Sequence, residues 1–211
     1  PTTGPSSITW QPSDEVTVYG AYKTAYKSGG FSNSALVTAL TTPSDIAFEP
    51  EKAKGFEGGI KTTLLDRQLR FNVAAYSYKY TNLQIDYFNS ITFQFITTNA
   101  GSATTKGVEF ETEFAPRAIP GFTARAVLAY TKARYKDYLS PCYGGQSTTA
   151  GCTGTFQSGP GQDLSGVPTA LAPEWTGNLG FNYESDVSND LVFMTSANMR
   201  YSSSYLGSSF G

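Results

Sequence analysis

Three carboxylates recur at alternate positions in "GVEFETEF" (107–114): Glu109, Glu111 and Glu113. On an extended chain, residues two apart lie about 6.5–7 Å from each other on one face, a separation that inverting glycosidases place between acid and base. That chemistry flanks the scissile bond from two sides, however, and two carboxylates on one strand approach it from one. The rest of the catalytic repertoire is thin. The chain has no histidine, which removes the usual general base and the commonest transition-metal ligand. Its two cysteines, Cys142 and Cys152, bracket the small-residue segment "PCYGGQSTTAGC". They read as a disulfide formed in an oxidising compartment, and two thiols are too few for a structural zinc. No enzyme, metal or cofactor is expected. The glutamates are better matched to cross-strand pairing with Arg70 and Arg125, since opposite charges on neighbouring strands attract modestly.

The elements that carry these residues read as strands. Val108, Phe110, Thr112 and Phe114 alternate with the glutamates, and period-2 alternation is the signature of a strand with two unlike faces. Eight such segments run along the chain, over 6–12, 16–27, 54–65, 69–88, 91–114, 122–138, 174–184 and 191–205, with a bulge expected near Gly101. Every second connection is a short polar turn (13–15, 66–68, 115–121 and 185–190), while the others are mostly long. Outer-membrane barrels sort their connections this way, short turns on the periplasmic side and longer loops outside. A soluble β-sandwich binding module has no such reason, and remains the alternative.

Composition agrees. The 211 residues are 39% hydrophobic with 14 Tyr and 14 Phe, aromatics that favour strands and interfaces. A net charge of −2 gives no footprint for nucleic acid. No run of about 18 apolar residues exists for a membrane helix, which leaves barrel strands of about 9–11 residues open.

With the greasy parity of each strand toward lipid, the outward columns hold Val16, Val18, Phe56, Ile60, Phe71, Val73, Phe110, Leu128, Leu179, Phe181 and Phe193. The inward columns hold Lys23, Glu57, Lys61, Arg70, Asn72, Arg125, Asn178, Asn182, Asn198 and Arg200 together with the three glutamates. Tyr22, Tyr130, Tyr201, Trp10 and Trp175 fall where outward columns would leave the bilayer, as interfacial girdles do. About 10 residues above the periplasmic turns, Lys79, Lys106, Lys132, Arg134 and Lys136 form an outward band of cations suited to the phosphates of lipopolysaccharide.

Three blocks carry a resemblance: "SITWQPSDEVTVYGAYKTAYKSGGFSNS", "FEPEKAKGFEGGIKTTLLDRQLRFNVAAYSYKYTNLQI" and "NAGSATTKGVEFETEFAPRAIPGFTARAVLAYTKARY". In this order, from residue 6 to about 205, they resemble the barrel of TonB-dependent outer-membrane receptors. The resemblance implies an all-β, antiparallel transmembrane β-barrel, here partial, with about eight strands of a barrel of about 22. Residues 1–211 would be a barrel segment from which the plug domain and the final strands are absent; a self-contained eight-stranded barrel is the other membrane reading. It implies an integral protein of a Gram-negative outer membrane that takes up a scarce ligand, most often a ferric siderophore, with carbohydrate or cobalamin as alternatives. Its partners would be that ligand, outer-membrane lipid and lipopolysaccharide, and the TonB complex acting through the absent plug. Ligand contacts, if they lie in this segment, are expected at Lys23, Lys27, Phe31, Phe88, Phe93, Tyr138 and Tyr143, because cations and aromatics suit anionic, aromatic chelates.

Overall fold

The computed structural model describes residues 3–32, 42–89, 94–156 and 159–207. Along these the chain forms β1 (Pro5–Ser13), β2 (Val16–Lys27), β3 (Gly30–Phe31), a single turn of helix α1 (Pro43–Ile46), β4 (Ala47–Phe48), β5 (Glu51–Leu64) and β6 (Leu69–Asn89). It continues with β7 (Gln94–Phe114), β8 (Phe122–Tyr135), β9 (Leu139–Pro141), β10 (Gly154–Phe156), β11 (Gly159–Asp163), β12 (Trp175–Ser188) and β13 (Leu191–Ser202). Eight of these strands make one sheet in the order β1-β2-β5-β6-β7-β8-β12-β13. Each large strand lies beside the next large strand in sequence and pairs with it antiparallel. This is an up-and-down meander, the arrangement a barrel wall needs.

Directly opposed residues share a face, so the registers sort the whole sheet. One row runs Trp10, Val18, Ile60, Val73, Phe110, Leu128, Gly177 and Tyr201. The row beside it on the other face runs Thr17, Lys61, Asn72, Glu111 and Val127. The two faces expected from alternation are those observed, and Val127, Val192 and Met194 are apolar exceptions on the polar face. Among the described residues no second sheet covers the apolar face: Ile8 is 80% exposed and Phe56 68%. A soluble sandwich would bury that face against a partner sheet; acyl chains cover it in a membrane.

The strands leave the wall on one side through tight turns. Leu65, Asp66 and Arg67 all adopt left-handed backbone (φ 54°, 51° and 68°), and Arg117 of the neighbouring turn donates to the Asp66 carbonyl at 3.0 Å and through its backbone N–H to Gln68 Oε1 at 2.7 Å. On the other side, β6 and β7 run on together for 21 residues each, past the end of β5. The bulge expected near Gly101 is absent. The β6–β7 register does not shift between Leu69↔Phe114 and Asn89↔Gln94; it skips Asn82 and Gly101, both left-handed (φ 54° and 50°), which stand opposite each other as a symmetric kink. Gly101 is required twice over, for that φ and because a Cβ there would collide with the Asp137 carbonyl.

Two loop bodies lean on this extended hairpin. The connection after β2 is tied by Asn99 Nδ2 donating to the Glu49 carbonyl (2.9 Å) and Gln84 Nε2 donating to the Ser28 and Glu49 carbonyls (2.9 and 3.1 Å). The connection after β8 holds a small sheet, β10-β11-β9, which sequence alternation did not resolve; β8 itself stops at Tyr135 rather than 138. Beneath that sheet lies a buried cluster of Ala103, Tyr135, Tyr138 and Leu164, with Tyr80, Leu83, Ile85 and Val167 against it.

Candidate functional site

The polar face and the outer loops together form the candidate site. Across β2, β5 and β6, Glu57 collects three donors: Lys23 Nζ at 2.8 Å, the Tyr78 hydroxyl at 3.0 Å and the Tyr19 hydroxyl at 3.2 Å. The Tyr19 ring lies over Gly59, where a Cβ would meet it at 2.8 Å, and Lys61 Nζ sits 5.6 Å from the centre of the same ring. Lower on the wall, Glu113 pairs with Arg125 at 3.0 Å and Glu111 accepts from Asn72 Nδ2 at 3.2 Å. Arg70 stands opposite Glu113 in the register, but Arg125 makes the ion pair. The three glutamates therefore line a wall beside cationic and amide groups. They do not converge on a point where a substrate bond could sit between two of them.

Of the expected ligand contacts, Lys23 is engaged with Glu57, and Lys27 lies two periods of the alternation further out, opposite Glu51. Phe31 is 64% exposed in β3, opposite Ala47 of β4. Tyr143 is exposed beside Cys142, its backbone N–H donating to Gln146 Oε1 at 3.1 Å. Tyr138 differs from expectation. It is only 1% exposed, stacked on Tyr135 with ring centres 4.3 Å apart, so its ring packs the loop body and is not offered to a ligand. Phe93 lies outside the described residues, as does the side chain of Phe88. The structure thus brings Lys23 to the wall and leaves Phe31 and Tyr143 on two separate loops.

Cys142 and Cys152 form a disulfide with Cα atoms 5.7 Å apart, closing a turn that Ser147 caps through Ala150 N–H (3.2 Å). An open cleft of ≈ 510 Å³ runs between the kinked hairpin and the small sheet, lined among others by Asn99, Gly101, Asp137, Thr155, Phe156 and Asp163. Sequence reading passed over this cleft. Its lining comes from segments more than 60 residues apart, brought together by the kink at Asn82 and Gly101. Asp163 accepts from the Ser165 hydroxyl and backbone N–H, the latter at 2.9 Å, which holds its carboxyl below the ordinary aspartate value.

Of the expected cation band, Lys79, Lys106, Lys132 and Arg134 fall at register positions of the apolar face. Lys79 stands opposite Thr104, and Lys106 opposite Lys132. Arg134 is drawn aside to Glu174, at 2.6 Å. Lys136 lies just past β8, with its backbone N–H bonded to the Ser102 carbonyl (2.8 Å). Two further cations of the same face were missed: Lys52, opposite Thr81, and Lys54, opposite Lys79. Starting that strand at residue 54 instead of Glu51 hid them as end residues, although Lys54 is two residues from Phe56 and must share its face.

The chain matches the family described as TonB dependent receptor-like, beta-barrel, over residues 3–210. No curated protein matches it in sequence. Among solved structures it is similar to the ferric yersiniabactin uptake receptor FyuA from Yersinia pestis, at 17% identity and a TM-score of 0.70, over 99% of this chain and 27% of that one. It is similar to the siderophore receptor PiuA from Acinetobacter baumannii at 21% identity and a TM-score of 0.62, over 95% of this chain and 26% of that one. It is also similar to the copper transporter OprC, at 13% identity and a TM-score of 0.62, over 94% and 25%. The chain spans about a quarter of the length of these proteins. At such identities the likeness is one of fold, a partial antiparallel barrel.

Proposed function

Because the chain belongs to the TonB dependent receptor-like β-barrel family, we propose that it is part of the wall and outer loops of a receptor that imports a scarce ligand, a ferric siderophore, across the outer membrane. The family is one of outer-membrane receptors and not of enzymes, in keeping with glutamates that are paired along a wall. The observation that carries the proposal is the family match over almost the whole chain, joined to a sheet whose apolar face lies open and whose polar face carries cross-strand pairs at Glu57, Glu111 and Glu113. Energy coupling to the TonB complex would act through parts of the receptor outside this segment. Lys27, Phe31 and Tyr143 are the residues here best placed to meet a ligand, at the outer end and exposed.

Siderophore import is favoured by the receptors for ferric chelates among the similar structures, and exposed aromatics beside cations suit such anionic chelates. The test is growth under iron limitation of a strain lacking the full-length gene, supplied with a panel of ferric siderophores. Loss of growth on one siderophore, restored by the gene and abolished by a protonophore, is the expected result. Unchanged growth on every siderophore, with lost uptake of a carbohydrate or of cobalamin, would move the ligand class and leave the receptor fold standing.

A further inference from the structure

Below the kink at Asn82 and Gly101, the outward positions of β5 to β8 carry no acidic residue. At the outer edge of that apolar face two lysine pairs are directly opposed, Lys54 with Lys79 and Lys106 with Lys132. Like charges facing each other across strands repel, and the cost is larger beside a low-dielectric layer than in bulk water. Lys79 and Lys106 are diagonal neighbours on adjacent strands, since Lys79 faces Thr104 and Lys106 faces Ser77. The two pairs therefore make one continuous cluster of four cations. Glu174, at this end of β8, is taken by Arg134, and Glu57, in the same cross-strand row, is on the polar face, where it is held by Lys23. The charge is left for something outside the chain.

Beside the cluster the surface is hollow. A groove of ≈ 580 Å³ is lined by Lys54, Lys79, Ser77 and Thr104 at its polar end and by Tyr22 and Phe56 at its apolar end, the two rings packed with centres 4.9 Å apart. A second hollow of ≈ 250 Å³ continues outward past Tyr26, Lys52 and Thr81. Cations above and aromatic rings below, on a face that meets lipid, fit a molecule with phosphates at one end and an acyl chain at the other.

We propose that the outer ends of β5–β8 bind a multiply phosphorylated lipid of the outer leaflet, its phosphates held by Lys54, Lys79, Lys106 and Lys132 and the start of an acyl chain laid over Tyr22 and Phe56. The inference rests on the outer-membrane placement of this wall but not on the ligand the receptor imports. The lysine ammonium groups serve as point charges toward phosphate, and each opposed pair is relieved by a shared anion.

The full-length receptor, purified in detergent, is incubated with lipopolysaccharide and with the same lipid after enzymatic dephosphorylation, and retained lipid is counted by native mass spectrometry. Expected is retention of the phosphorylated form, a loss of tenfold or more in the variant K54Q/K79Q/K106Q/K132Q, and no change in K61Q, whose lysine is on the polar face. The double variant K54Q/K79Q, which disturbs the wall less, should already lose several-fold, with folding checked by heat-dependent gel migration. F56A should weaken lipid retention, and 10 mM inorganic phosphate should not displace the lipid. Equal retention by the lysine variants, equal retention of dephosphorylated lipid, or full displacement by inorganic phosphate would each overturn the proposal. Siderophore uptake is scored separately: uptake intact with lipid lost leaves the proposed function standing, and lipid bound by a receptor that imports no siderophore leaves this inference standing.

Discussion

The phenol of Tyr76 crosses over Gly107 on the next strand and meets the Thr131 hydroxyl on the one after, 2.8 Å away. Three strands are thereby stitched on the polar face by one side chain. Tyr76 and Gly107 are directly opposed, and so are Gly107 and Thr131. The missing Cβ is what lets the ring lie flat, since a side chain at 107 would meet the Tyr76 ring at 2.8 Å. Tyr76→Phe should remove the hydrogen bond alone and cost about 1 kcal/mol. Gly107→Val should displace the ring and cost about 1–3 kcal/mol as overpacking does. Urea midpoints of the full-length receptor in detergent check both; a larger loss from Tyr76→Phe than from Gly107→Val would contradict the stitching.

The two faces of β7 predict opposite responses to the same new charge. Phe110 is 38% exposed on the apolar face, opposite Val73 and Leu128, and Phe110→Arg should destabilise insertion by about 2–4 kcal/mol near the bilayer midplane. Glu111→Arg, one residue on, points to the polar side and should leave the folded fraction in lipid vesicles nearly unchanged. If Glu111→Arg blocked insertion while Phe110→Arg did not, the assignment of the faces would be inverted.

The wall was legible in the sequence because it is governed by a local, repetitive rule. Val108 and Phe110 against Glu109 and Glu111 announce a strand and its faces without reference to any other part of the chain. The apolar face alone left sandwich and barrel open, and the sorting of short and long connections favoured the barrel. The outer loops were not legible for the opposite reason. Tyr138 reads like any exposed loop tyrosine until Tyr135, Ala103 and Leu164 close around it, and those contacts span three segments. The kink of β6–β7 read as a bulge because a glycine signals an irregularity without saying whether the opposite strand shares it; Asn82 does.

That kink should be sensitive at Gly101 and much less so at Asn82. Asn tolerates the left-handed region and Gly101 has in addition the Asp137 carbonyl pressed against it. Gly101→Ala should cost about 1–2 kcal/mol from the backbone conformation alone, before the collision is counted. Ser102 N–H donates to the Asp137 carbonyl and Lys136 N–H to the Ser102 carbonyl, so the loop body over 136–174 should detach first. Limited proteolysis should cut within that loop in Gly101→Ala while heat-dependent gel migration stays that of a folded barrel. Unchanged protection would mean the loop is held elsewhere.

Acid should release the same loop through Asp163. Its carboxyl is held low by the Ser165 hydroxyl and backbone N–H, and Ser165 Oγ in turn accepts from Tyr138 N–H at 3.1 Å. A carboxyl whose folded pKa is depressed contributes stability that is present above its unfolded value and is lost as pH falls through the folded one. Loop protection should therefore be level from pH 7 to about 5 and decline only below about pH 4, the ordinary aspartate range. Asp163→Asn should remove that acid dependence. A decline centred near pH 6 in the wild type would point to a different group.

The disulfide should act on the loop and leave the wall alone. Cys142 and Cys152 are separated by 10 residues, and closing so short a loop in the unfolded chain accounts for about 2–3 kcal/mol. Both cysteines belong to the segment that carries the exposed Tyr143, and no strand of the large sheet contains either. Reduction, or Cys142→Ser with Cys152→Ser, should raise hydrogen exchange over 142–152 while exchange in β5 to β8 is unaltered. If Tyr143 meets the imported ligand, the same variant should weaken ligand binding, and Tyr143→Ala in the oxidised receptor should weaken it to a similar degree. Binding unaffected by Tyr143→Ala but lost on reduction would instead assign the contact to the backbone of the closed turn.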